Sequence, residues 1–205
     1  MTRASTAPTA QRLAAAATDA IRRADWPKAE ATLRRLVKLR DAPAEASYNL
    51  AQVLLRAGKP EQAGSWLRRA VSLRADYGIA WFELGRWLVE QGEPAEARDC
   101  FARATVLLPE DTDGWRNLAR LAERLGDPAQ ARDAWRRIAG AGFAEARVGL
   151  MRALLELRDP EGEVLRRALW REPALRPLVL RAVTRSTAGR IALAADGPSA
   201  QSPER

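Results

Sequence analysis

The stretch Trp81–Pro109, WFELGRWLVEQGEPAEARDCFARATVLLP, decides the fold. Trp81, Leu84 and Leu88 recur at helical spacing, and Ala97, Phe101 and Ala104 do so again further on. Between the two runs lies Gly92-Glu93-Pro94. A glycine suits the left-handed position just past a helix end. A proline suits the first turn of the next helix, where its missing N–H costs nothing. The stretch therefore reads as two helices joined by a tight turn. One residue resists this reading. Gly85 lies inside the first helix, where glycine costs about 1 kcal/mol relative to alanine. That cost is offset if another helix approaches too closely for a side chain.

The pattern recurs along the chain. Fragments ADWPKAEATLRRL from Ala24, GKPEQAGSWLRRA from Gly58, GEPAEARDCFARA from Gly92 and GDPAQARDAWRRI from Gly126 begin 34 residues apart. A degraded fifth, RDPEGEVLRRALW, begins at Arg158, 32 residues on, with its turn glycine replaced and Gly162 inside its second helix. Asp25 and Asp127 suit helix N-caps, and Gln130 completes a capping-box pattern with Asp127. No alternating β-branched stretch interrupts the repeat, so the chain reads as all-α. The positions matching Gly85 are Ala17, Ala51 and Ala119, all small, and Ala63, Ala97 and Ala131 form a second small row on the second helices. Leu50, Trp81, Leu84, Phe101, Trp115, Leu118 and Trp135 fill the space between, each contributing about 1.5–3 kcal/mol on burial. A single helix pair cannot bury its apolar face alone, so several must stack.

Composition narrows the function. The chain has 205 residues, 47% hydrophobic and 29% charged, with one cysteine (Cys100) and no histidine. An intrachain disulfide is excluded, and the commonest metal ligand and general base are missing. We expect no metal, no cofactor and no catalysis. No run of about 20 apolar residues reads as a membrane span, and MTRASTAPTAQRLAAAA lacks a convincing signal core. The expected compartment is the cytoplasm. The net charge is +8, and only Lys28, Lys38 and Lys59 among 34 basic residues are lysines. Five arginines against Asp196 and Glu204 in the last thirty residues hold much of the excess. The body is close to balanced, so nucleic acid is the weaker partner reading.

Trp81-x2-Leu84-Gly85-x2-Leu88, then Ala97-x3-Phe101, Ala104 and Pro109, resembles the tetratricopeptide repeat pattern, with Leu88 where the family has tyrosine. The resemblance covers about 10–143 and runs more loosely to 175. It implies a right-handed α-solenoid of stacked antiparallel helix pairs, with repeats at 10–43, 44–77, 78–111, 112–143 and 144–175. A capping helix is expected at 176–195, with disordered ends at 1–9 and 196–205. The resemblance also implies a concave groove lined by the first helix of each pair. Its residues here are Tyr48, Asn49, Gln52, Phe82, Arg86, Arg116, Asn117, Arg120 and Arg152.

Arg86, Arg120 and Arg152 share one repeat position and should form a ladder, with Tyr48 and Phe82 at its apolar end. Arginine forks bind carboxylates bidentately, so an acidic segment with an apolar anchor would fit. The competing reading pairs these arginines with Glu83, Glu90, Glu123 and Glu156. Trp81, Trp115 and Trp135 fall at core positions, Trp87 either enlarges a contact between repeats or protrudes, and Cys100 is expected to be half-buried. The leading functional reading is a non-catalytic scaffold or adaptor that binds a peptide or protein segment. The alternatives are a nucleic-acid-associated basic protein and a regulatory module of a separately encoded enzyme. Self-association into a homo-oligomer is compatible with the pattern.

Overall fold

The computed structural model describes residues 7–184. The expected disorder of 1–6 and 196–205, and the part of the capping helix beyond 184, lie outside the described residues. Ala7–Thr9, expected to precede the first helix, are already helical. Among the described residues the chain forms eleven α-helices and no strand, in two compact units divided after Asp127.

The first unit holds α1 (Ala7–Arg22), α2 (Trp26–Leu36), α3 (Ala44–Arg56), α4 (Pro60–Leu73), α5 (Gly78–Gln91), α6 (Pro94–Leu107) and α7 (Thr112–Arg124). Each packs against its neighbour in chain order. The second unit holds α8 (Pro128–Ile138), α9 (Ala144–Glu156), α10 (Pro160–Trp170) and α11 (Arg176–Thr184). Here α9 packs against α8, α10 and α11.

The turn inside each repeat is the same object five times. Ala24, Gly58, Gly92, Gly126 and Arg158 all adopt positive φ, between 56° and 80°. The next residue's N–H donates to the carbonyl five positions back, at 2.9 Å in every case: Asp25 to Ala20, Lys59 to Leu54, Glu93 to Leu88, Asp127 to Ala122 and Asp159 to Leu154. This Schellman closure satisfies carbonyls that a helix end leaves orphaned. The fifth repeat has lost its glycine but not its turn. Asp25 and Asp159 add side-chain caps, accepting from Lys28 N (3.1 Å) and Glu161 N (2.9 Å).

Small residues sit where helices meet. A Cβ on Gly85 would lie 3.1 Å from three carbons of the Phe101 ring, which explains the glycine in mid-helix. Ala51 and Ala119, at the matching positions, are fully buried. Two further glycines seat aromatic rings. A Cβ on Gly64 would come within 2.4 Å of Trp87, and one on Gly149 within 2.5 Å of Trp135. Gly162 allows α10 to approach the backbone of α9 at Leu155. In the second unit α11 lays Val179 and Val183 over Met151 and Leu169.

Three expectations change. Of the three tryptophans assigned to the core, only Trp135 is fully enclosed. Trp81 and Trp115 are half-buried, and their indole N–H groups donate to Ala75 O and Pro109 O in the preceding loop, both at 2.9 Å. A buried indole nitrogen needs an acceptor, and the loop carbonyl supplies one at the edge of the core. Cys100 is buried rather than half-buried, and desolvation pushes its thiol up to about 12.

Candidate functional site

The candidate residues of the first unit stand on α3, α5 and α7. Tyr48 is half-buried on α3, its ring 5.3 Å from that of Tyr77. Burial, followed by the charge of Glu83, pushes its hydroxyl up to about 12. Asn49 and Gln52 are partly exposed, and the Gln52 amide nitrogen is buried with no hydrogen-bond partner among the described residues. Phe82 sets its ring edge-on to Phe101 at 5.4 Å, so much of it belongs to the core rather than to an open anchor.

The arginines follow the paired reading more than the ladder. Arg86 donates through Nη1 to both oxygens of Glu83, at 3.2 and 3.3 Å. Arg116 donates to Asp113 at 2.7 Å. Arg152 lies in the second unit on α9, 3.8 Å from Glu156. Arg120 is exposed and Asn117 partly so. Acids one helical turn away thus offset much of the positive charge that the row suggests.

A cavity of about 340 Å³ opens beside Arg86. Leu55 of α3, Gly58 of the following turn, Pro60 at the start of α4, and Glu83, Trp87 and Glu90 of α5 complete its wall. Trp87 does not protrude. Its indole N–H donates to Pro60 O at 2.8 Å and its ring lies on Gly64, so it ties the second repeat to the third. Leu55 and Glu90 stand one helical turn beyond Gln52 and Arg86 on their helices and were open to a sequence reading. The turn residues were not, because nothing in their spacing says that a turn forms a wall.

A second cavity, of about 580 Å³, is lined by Trp26, Pro27, Ala31 and Ala57 with Glu30, Arg34 and Lys59 at its edge. Glu30 bridges two repeats, accepting from Lys59 Nζ at 2.8 Å and from Arg34 Nε at 2.9 Å. The Lys59 bond, with Arg34 assisting, holds the Glu30 carboxyl below the usual range against the opposing effect of burial. No helix among the described residues is long and apolar enough to cross a membrane.

Paired helices of this length, closed by identical turns and packed through small residues, define an α-helical repeat protein. Tetratricopeptide repeat models match residues 14–78, 79–121 and 114–137, and the chain belongs to that family. Among solved structures, MamA is 20% identical, covered over 90% of this chain and 97% of its own, with a TM-score of 0.64. YrrB, described as a TPR protein with an unusual peptide-binding site, is 22% identical over 62% of this chain and 66% of its own, with a TM-score of 0.54. A chain of Naa15/Naa10 bound to HypK-THB is 17% identical over 78% of this chain and 24% of its own, with a TM-score of 0.62. At these identities the likeness concerns the fold. No curated protein matches the sequence significantly.

Proposed function

We propose that the chain is a non-catalytic protein-interaction scaffold that binds a protein or peptide segment along the first helices of its repeats. The contact residues of this reading are Tyr48, Asn49, Gln52, Phe82, Arg86, Arg116, Asn117 and Arg120 in the first unit and Arg152 in the second. The observation that carries it is the cavity beside Arg86, which is built from two successive repeats and has Tyr48 within electrostatic reach. A site spanning repeats suits an extended guest better than a compact one. The buried, unpartnered Gln52 amide adds support, because a leftover donor costs stability until an acceptor arrives. Family membership and the peptide-binding and multi-protein descriptions of the structural neighbours point the same way.

The test is site-specific photo-crosslinking. Photoreactive residues at Gln52 and Arg120 should trap a partner, whereas the same group at Ser65 and Arg103, on exposed second-helix positions, should not. Equal trapping at both sets, or none at Gln52 and Arg120, would refute the assignment.

A further inference from the structure

We propose that the cavity between the turn after α3 and the face of α5 is a pocket for a cationic side chain, lysine or arginine, of the bound segment. The proposal rests on the scaffold reading above and specifies the chemistry of the segment at one point.

Charge is the first argument. The wall carries two carboxylates, Glu83 and Glu90, against one guanidinium, Arg86. Arg86 is already held by Glu83. Glu90 is exposed and makes no ion pair or hydrogen bond among the described residues. The other cations nearby are occupied elsewhere. Lys59, next to the turn, is bonded to Glu30, and Arg56 stacks over Trp26 at 5.6 Å. The wall therefore has a net negative charge and an open carboxylate. The behaviour of Tyr48 agrees: after burial, the charge of Glu83 is the largest acting on it, ahead of Arg56 and of Arg86 taken singly.

Shape and polarity are the second argument. Leu55, Pro60 and Trp87 give the cavity an apolar side. Lysine and arginine have apolar stems that lie along such surfaces while the charged head stays with its counter-ion. The Trp87 bond to Pro60 O and its seat on Gly64 hold the indole in place, so the wall is preformed. An acidic side chain would meet two carboxylates, Glu83 and Glu90, and a single guanidinium already turned to one of them.

The test uses the full chain and a random peptide array, followed by fluorescence anisotropy with the best-bound peptide labelled with fluorescein. Bound peptides should be enriched in lysine or arginine. Glu90→Gln should weaken the labelled peptide about fivefold at low salt, and Arg86→Gln should strengthen it about twofold by releasing Glu83. Both positions are exposed, so the variants should keep wild-type melting curves. Enrichment in aspartate or glutamate, or the opposite signs for the two variants, would overturn the pocket while leaving the scaffold reading standing. Basic peptides that bind both variants like wild type would overturn it by placing their charge elsewhere. An array with no bound peptide would overturn it as well, and the crosslinks at Gln52 and Arg120 would then decide the scaffold reading independently.

Discussion

Exchanging glycine and alanine between two of the five turns should move stability in opposite directions. Gly92 has φ +80° and nothing within 4 Å of the Cβ that alanine would add. The cost of Gly92→Ala is therefore a backbone cost, about 1–2 kcal/mol for an L-residue held left-handed. The smaller conformational freedom of alanine in the unfolded chain returns about 0.4–1 kcal/mol. A net loss of about 1 kcal/mol lowers the melting temperature by about 2–4 °C in a chain of this size. Ala24 already bears that strain, at φ 56° with its side chain exposed. Ala24→Gly should thus gain about 0.5–1 kcal/mol and raise the melting temperature by about 1–4 °C. Thermal melts followed by helix circular dichroism read both. If Gly92→Ala leaves the melt unchanged, or Ala24→Gly lowers it, left-handed strain is not what the turn glycines relieve.

Other consequences can be checked as directly. Gly149→Ala should destabilise by about 1–3 kcal/mol in denaturant titration, because the added carbon meets the enclosed Trp135 ring at 2.5 Å; a neutral result would mean the ring has room to move. The lowered pKa of Glu30 means that its contribution is present above the unfolded carboxylate pKa and is lost as pH falls through the folded value. Glu30→Gln should accordingly reduce the fall in melting temperature between about pH 5 and pH 3, and an unchanged acid limb would refute this. Cys100, buried with its thiol near 12, should react with a disulfide reagent at pH 8 only on unfolding. Rapid labelling of the folded chain would contradict that burial.

The helix pairs could be read from sequence because one local signal repeats. Gly58, Gly92 and Gly126 mark helix ends, and the following prolines mark helix starts. The signal survived where its residues changed, at Ala24 and Arg158, because the helix-closing bonds lie in the backbone and tertiary packing can impose their geometry on a poorer residue. Small residues at 17, 51, 85 and 119 correctly marked close approach. Gly64 and Gly149 carry no such mark, since the rings they seat come from other helices and leave no trace in local spacing. The site was less legible. A row of arginines shows in sequence, but which acid each one turns to depends on rotamers: Arg86 turns to Glu83, one of the acids the sequence offered, whereas Arg116 turns to Asp113. The cavity joins a turn to a helix of the next repeat, a juxtaposition that only stacking creates.

The division after Asp127 falls inside the fourth sequence repeat, between its first helix and its second. The second helix of that repeat, α8, sends Trp135 onto Gly149 of α9, so ring and seat belong to the same compact unit. Module shuffling therefore has a natural crossover that the repeat boundaries do not mark. A chimera joined at residue 143, on the repeat boundary, would separate Trp135 from its seat. One joined at the Gly126 turn would carry the pair across intact.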